Sequence, residues 1–462
     1  VGRVDVPNVA ADVSAMNILT FTTLWPNAEQ PNFGVFVKHR VAALNKLDGV
    51  NVRIVAPVPY FPKSNSESAE FSFHRRGAKS AETTQKEELC AYSANLCASV
   101  VEKALKALIP KSTLARWQLL ARVPEQEVIA GLPTFHPRYL VTPKLGMSFY
   151  GGWMARGAWQ IVESLHAEQP FDLIDAHYAY PDGYAAVLLG ERLKLPVFIT
   201  ARGTDINWFS RMPLIRPKIV KALNRAAGII VVSEALKARM VELGISAEKI
   251  EVIRNGVDRE VFSPRDRNEA RWRLKLDPDD RILLSVGALV SVKGFDRLID
   301  AIVSLSKDEN RLKLFIIGEG SDRRALESRI SNLKLENCVC LLGAKPQAEL
   351  ADWYSAADLF CLASHSEGCP NVILEALACG LPVVAVDVGG IRELISSELC
   401  GRVISPTTAE NFAGEICIAL RNVWRREEIA RLAATRTWDD VARETEDYFT
   451  TCGIRGFGEN KD

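Results

Sequence analysis

DLFCLASHSEGCPNVILEALACGLPVVAVD, residues 358–387, reads as strand, turn, helix and strand. DLFCLAS (358–364) and PVVAVD (382–387) are short and apolar, and ILEALACG (373–380) lies between them and closes on a glycine. Short apolar strands separated by a helix argue for a parallel sheet covered on both faces. Pro370 biases Cys369 toward extended backbone, so the helix is expected to begin after it, with Asn371 as N-cap. The free amides of its first turn would then form an anion site by geometry and dipole. Glu367 precedes this turn and Glu375 is expected within it. Two such carboxylates could be a catalytic pair, a metal site or unrelated surface groups, and Glu375 could simply complement the helix dipole.

The same alternation extends both ways. Upstream it runs through RILLSVG (281–287), DRLIDAIVSL (296–305), LKLFIIGEG (312–320), CVCLLG (338–343) and ELADWYSAA (349–357). An earlier set comprises MNILTFT (16–22), VFVKHRVAALNKL (35–47), NVRIVAPVPY (51–60), FDLIDAHY (171–178), DGYAAVLLGERL (182–193), PVFIT (196–200), VKALNRAAG (220–228), GIIVVS (228–233) and KIEVIRNG (249–256). The expected class is α/β, with two Rossmann-like doubly wound domains, a cleft between them and a C-terminal helix crossing back. The expected boundaries are a loose tail over 1–15, a first domain over 16–256 with an excursion over 63–150, and a charged linker over 257–280. A second domain over 281–425 and a helical segment over 426–462, packing back on the first domain, complete the division.

A chain of 462 residues exceeds the usual size of one core, which also favours two domains. Lys+Arg and Asp+Glu number 57 each, so no global charge points to nucleic acid. Ten scattered cysteines without a disulfide-like framework suggest a reducing compartment. No apolar run is long enough to span a membrane and the N-terminal stretch lacks a signal-peptide core, so a cytoplasmic location is expected. SVVEKALKALI (99–109) and TLARWQLLARV (113–123) are basic and amphipathic, fit either for an anionic membrane face or for packing on the domain. DPDD (277–280) superficially offers a metal motif but sits in the linker, and no metal is expected.

His177, at a strand end before Pro181 and Gly183, reads as a binding group. Gly34 permits close approach at a helix start after the first strand. ITARGTDIN (199–207) places Arg202 and Asp205 at the next strand end, and an arginine there binds an anion but cannot act as a base.

SEGCPNVILEALACGLPVVAVDVGGIREL (366–394) resembles the donor-site signature of the GT-B retaining glycosyltransferases of family four. RNGVDREVFSP (254–264), SVGALVSVKGFDRLI (285–299), IIGEGSDRRAL (316–326) and AELADWYSAADLFCLASHSEG (348–368) match further blocks of that family in order. The resemblance implies a retaining hexosyltransferase that takes sugar from a nucleotide-diphosphate sugar to a glycan or lipid-linked acceptor, without cofactor or essential metal. It implies that Glu375 holds ribose hydroxyls and Glu367 hydroxyls of the moving sugar. The amides of Asn371, Val372 and Ile373, with Lys293, would hold the diphosphate, and Gly287, Gly318 and Gly368 would line the donor site. Gly34, His177 and Asp205 fall on the acceptor side, with Arg202 and His177 near the reacting sugar. Two positions depart from the pattern: Ala288 stands where an arginine is usual, and Arg202 where a histidine is usual. The alternatives are a nucleotide-sugar epimerase on the same fold, or a non-catalytic nucleotide-sugar binder.

Overall fold

The structure, a computed structural model, describes residues 15–60, 119–142, 146–308, 311–405, 408–433 and 436–454. Two sheets organise these residues. The strands of the first are β1 (Met16–Phe21), β2 (Val50–Val55), β4 (Gln126–Ile129), β5 (Leu132–Phe135), β7 (Leu173–His177), β8 (Val197–Ala201), β9 (Gly228–Val231) and β10 (Ile250–Val252). Their order is β10-β9-β8-β7-β1-β2-β5-β4. All pair in parallel except β4, which closes the edge antiparallel to β5. The second sheet comprises β11 (Arg281–Val286), β12 (Leu312–Ile317), β13 (Val339–Leu341), β14 (Leu359–Leu362), β15 (Val383–Val386) and β16 (Gly401–Ile404). Its order is β13-β12-β11-β14-β15-β16, and it is entirely parallel. A small parallel pair, β3 (Val58–Tyr60) with β6 (Arg138–Leu140), stands apart from both.

The central strands are apolar on both sides because helices cover both faces, as the continuous rather than alternating runs foretold. In the first sheet, Leu19, Phe21 and Ile174 face one core while Ile18, Ile54 and Phe198 face the other. In the second, Ile282, Leu284 and Phe360 oppose Leu283, Leu314 and Leu359 in the same way. Strand order reverses between β1 and β7 and between β11 and β14, so the loops leaving these carboxyl ends border the crevice where such folds take ligands.

Several expectations change here. Part of the stretch read as an excursion belongs to the first sheet, through β4 and β5. Ala130 and Gly131 both have positive φ, 53° and 77°, and make the two-residue hairpin turn between those strands. Alanine in place of the usual asparagine hid that turn. The helix Tyr150–Glu168 also begins inside the expected excursion. The stretch 99–118, carrying most of the basic amphipathic pattern, lies outside the described residues. The linker contains a helix, Arg267–Arg273, anchored by buried Arg271, which donates to Ala356 O (3.0 Å) and to Asp358 Oδ2 (3.0 Å). Asp277, Asp279 and Asp280 surround Arg311, so the acidic turn already has a cation.

The C-terminal segment divides. Helix Arg426–Ala433 stays on the second sheet's side, with Ile429 in its core and Arg426 donating to Ser355 O at 2.8 Å. Among the described residues of this segment, helix Trp438–Thr451 is the one that crosses back. Its Phe449 ring centroid lies 4.5 Å from that of Phe198, and Tyr448 donates to Lys249 O at 2.9 Å. Thr437 and Asp440 form a reciprocal capping box at its start, which fixes where the crossing helix begins. No helix among the described residues is long and apolar enough to cross a membrane.

Candidate active site

The turn after β11 determines where Lys293 goes. Gly294 adopts φ 63°, and a Cβ there would stand 2.1 Å from Ala363 O, so only glycine lets the loop lie against the end of β14. Lys293 then reaches across to Glu367, with Nζ 2.6 Å from Oε1. Ser364 Oγ donates to the same oxygen at 2.7 Å. The Glu367 side chain is 8% exposed and that of Lys293 is 23%, so the pair lies in the wall with the lysine outermost.

Helix Asn371–Ala378 begins one residue earlier than capping chemistry suggested. Pro370 is the N-cap and Asn371 the first helical residue, because its side chain accepts instead from Asn255 Nδ2 at 2.8 Å. Ile373 N–H is taken by Pro370 O (3.0 Å), which removes one of the three amides expected at the anion site and leaves those of Asn371 and Val372. Glu375 falls on the second turn rather than the first. Tyr354 Oη donates to its Oε2 at 2.9 Å, and burial pushes the carboxyl up to about 7 despite that bond. Gly34, at φ 64°, starts helix Val35–Leu44 and lines the same cavity of about 250 Å3 as Glu375, Asn371, Lys345 and Gln347. Gly34 therefore faces the pocket of Glu375 from the opposite unit. Phe36 and Asn371 also line a larger cleft of about 1290 Å3 that holds Arg202, Lys293, Glu367 and Gly368, so the two chambers adjoin.

Arg202 enters from the first sheet. Its Nη1 donates to Asn255 Oδ1 (3.1 Å) and its Nη2 to His177 Nδ1 (2.8 Å), while Nε has no partner among the described residues. Burial, then the neighbouring Arg40, lowers its pKa to about 9, which leaves it cationic at neutral pH. His177 is fully buried behind it, with Nε2 3.1 Å from Asp175 Oδ2. Accepting at Nδ1 places the imidazole proton on Nε2, facing Asp175. Burial holds His177 down at about 4, so the ring is neutral at working pH. Burial opposes ionisation of Asp175 too, yet His177 and Arg40 keep it down at about 2. His177 is thus a support for Arg202 and does not line the cleft, contrary to the binding role expected of it.

Asp205 is likewise sealed. Its Oδ1 accepts from the amides of Arg202 (3.1 Å) and Gly203 (2.9 Å), and its Oδ2 from that of Ala179 (2.7 Å). It shapes the loop that presents Arg202, and all three bonds are internal, so the structure turns this carboxylate inward rather than toward the acceptor side expected of it. Gly287 and Gly318 stand at the ends of β11 and β12 beneath the loops and line neither chamber. Ala288 is exposed, and the arginines that line the large cleft, Arg202, Arg211 and Arg239, all come from the first unit.

The two units meet across this site. A Cβ on Gly368 would come within 2.1 Å of Arg202 O, and one on Gly203 within 2.8 Å of Gly368 Cα. Glu393 accepts from the amides of Glu234 and Ala235 (both 3.1 Å) and from Arg254 Nη2 (3.0 Å), joining the second unit to a helix start of the first. Asn255, Tyr354, Ser364 and Asp175 escaped the sequence reading. Asn255 and Tyr354 lie inside blocks whose order was recognised, but nothing local marks an asparagine as a bridge between units or a tyrosine as a carboxylate's partner.

The profile described as "Glycosyl transferases group 1" matches residues 266–436, and that described as "Glycosyltransferase Family 4" matches residues 120–261. The chain is 28% identical over 418 residues to the putative teichuronic acid biosynthesis glycosyltransferase TuaC of Bacillus subtilis (strain 168), covering 89% of this chain and 91% of that one. It is 30% identical over 303 residues to a D-inositol 3-phosphate glycosyltransferase of Frankia alni, covering 61% and 74%. Among solved structures, sucrose-phosphate synthase of Thermosynechococcus elongatus superimposes with a TM-score of 0.69 at 18% identity, covering 95% of this chain and 98% of that one. Anabaena Alr3699/HepE in complex with UDP-glucose does so with 0.64 at 18%, covering 94% and 99%. These likenesses identify the architecture as GT-B.

Proposed function

The chain belongs to glycosyltransferase family 4, and from that premise we propose that it moves a sugar from a nucleotide-diphosphate sugar to a glycan or lipid-linked acceptor with retention at the anomeric carbon. The observation that carries this reading is the arrangement at the cleft: Glu375 in the inner cavity, the free amides of Asn371 and Val372 at the helix start, and Lys293 with Glu367 beyond them. That order matches the parts of the proposed donor. Ribose hydroxyls donate to Glu375, the diphosphate lies on the helix start and Lys293, and hydroxyls of the moving sugar reach Glu367. Lys293 exchanges its carboxylate partner for phosphate as the donor enters, which frees Glu367 to accept from the sugar.

The reaction develops charge on the departing diphosphate, and preorganised donors there lower the barrier most. Lys293 and the two amides supply them from one wall and Arg202 from the other. In same-face displacement the anomeric carbon–oxygen bond to phosphate breaks as the acceptor oxygen bonds on the same face, and the leaving phosphate oxygen takes the acceptor proton. No side-chain base is needed and no metal is invoked. The epimerase alternative requires an acid–base set in the first unit, and neither sealed His177 nor sealed Asp205 supplies one. TuaC is named for teichuronic acid biosynthesis and the HepE structure holds UDP-glucose, which supports a nucleotide-sugar donor and a polysaccharide product. A cytoplasmic site of action is part of the same proposal.

The test is release of nucleoside diphosphate from UDP-, GDP- and ADP-sugars with and without lipid-linked acceptors, followed by the anomeric configuration of the product. Acceptor-dependent release with a retained anomer is expected. Epimerised sugar without acceptor, or an inverted product, overturns the reading.

A further inference from the structure

Residues 206–233 contain no acidic side chain, yet they carry Arg211, Arg216, Lys218, Lys221 and Arg225. Arg225 pairs with Glu191, but among the described residues no ion pair holds the other four. Arg211, Arg216 and Lys221 are exposed. Burial, and to a smaller degree the nearby Lys221, depress the pKa of Lys218. Interleaved with them are two exposed large apolar side chains, Trp208 at 59% and Leu214 at 74%. Tight turns bind this run together: Met212 N–H donates to Phe209 O, and Arg216 N–H to Met212 O.

A second segment joins the same face from elsewhere in the chain. Residues 146–162 also lack an acidic side chain. Lys218 Nζ donates to Ser148 O and stands 5.3 Å from the ring centroid of Phe149, which is itself 56% exposed. The face therefore runs from Trp208 and Arg211, which line the large cleft, past Leu214 to Lys218 and Phe149. Scattered exposed apolar residues need no explanation, but three large ones among four unpaired cations, brought together from two segments, do.

We propose that this face docks on an anionic lipid surface, with Trp208, Leu214 and Phe149 entering the headgroup layer and Arg211, Arg216, Lys218 and Lys221 over the lipid phosphates. Apolar insertion and a basic patch together supply the two signals that stable peripheral binding requires. Indole is suited to that depth because its ring is apolar and its N–H stays hydrated. The placement also bears on transfer: Arg211 and Trp208 are shared with the cleft, so an acceptor held in the lipid leaflet would present its head toward Glu367 without leaving the surface. Charge complementarity selects lipid over a second copy of the chain, since two such faces would repel.

The experiment floats the full chain, without donor, on vesicles of phosphatidylcholine alone and of phosphatidylcholine mixed with phosphatidylglycerol. Binding to the mixed vesicles only, weakening with added salt, is expected. Each exposed cation removed should weaken it about fivefold. The triple variant Leu214→Ser, Arg216→Gln, Lys221→Gln should therefore lose more than about tenfold. Turnover on a water-soluble acceptor should be unchanged, and Lys221→Gln alone gives the smaller step should the triple variant be less stable. Equal partition of variant and parent, which would assign docking to the stretch 99–123, overturns the proposal. Equal binding to neutral vesicles, binding to neither, or a concentration-dependent dimer abolished by Leu214→Ser overturns it as well. Vesicle binding is read without chemistry, so its failure leaves the transfer reading standing, and the reverse also holds.

Discussion

If Glu375 receives ribose hydroxyls, donor affinity must depend on pH with a definite sign. Hydroxyls donate to the ionised carboxylate, and in the empty protein burial has raised Glu375 to about 7. Only the ionised fraction binds, so the apparent dissociation constant scales as one plus the ratio of protonated to ionised Glu375. That factor is about 11 one unit below the pKa and about 1.1 one unit above it. Affinity for a nucleotide-diphosphate sugar, whose diphosphate has no terminal phosphate to titrate in this range, should therefore strengthen about tenfold between about pH 6 and about pH 8, with about half a proton released per site at pH 7. Titration calorimetry in buffers of different ionisation enthalpy measures both quantities. Glu375→Gln keeps the shape and one acceptor oxygen but removes the charge. A hydrogen bond to a charged group contributes about 1.5–3 kcal/mol, so affinity should fall about 10- to 100-fold and the pH dependence should vanish. Tyr354→Phe removes the donor 2.9 Å from Oε2 and should move the midpoint upward. An unchanged affinity in Glu375→Gln, or the same pH slope in that variant, refutes the assignment.

Lys293→Ala should lower kcat by about two orders of magnitude with a smaller change in donor KM, because its charge matters most as the diphosphate departs; equal kcat in steady-state assays would remove it from the site. His177→Ala leaves Arg202 Nη2 without its acceptor at 2.8 Å and should cost about 10- to 100-fold in kcat, with His177→Gln restoring part. Since His177 is held near 4, the pH–rate profile of the parent should show no inflection from an ordinary histidine near 6.5, and one that disappears in His177→Gln would contradict a neutral ring with its proton on Nε2. His177 also stabilises the fold only while neutral, so stability should fall as pH drops from about 6.5 toward 4, where the unfolded chain alone takes up the proton. Gly368→Ala places a methyl 2.1 Å from Arg202 O and should hold the two units apart, lowering turnover while each unit stays folded; small-angle scattering matching the parent, with full activity, would show that the contact is dispensable.

The features legible in the sequence are local ones. A strand buried on both faces needs a continuous apolar run and a helix needs a periodic one, so β11, β14 and β15 and the helix at Asn371 are written in consecutive residues. The features that only the structure shows depend on a partner distant in the chain. Asn371 looks like an N-cap until Asn255, more than a hundred residues away, takes its side chain. His177 and Asp205 look like site residues because they sit at strand ends. Whether a strand-end side chain faces the cleft or turns beneath it depends on the loop laid over it, and here Arg202 covers His177.

What the sequence determined by itself is the two-unit α/β plan, the family it belongs to, and the stretch from Glu367 to Glu375 as a turn that lines the cleft, because periodicity, turn chemistry and motif order act over a few residues at a time. The tertiary structure alone decided which groups share the cleft. It placed Glu375 deeper than the first turn, gave Lys293 to Glu367, stood Arg202 on a buried histidine, and brought Gly203 against Gly368. Each of these is a contact between segments many residues apart, set by side-chain direction and close packing, which no spacing along the chain encodes.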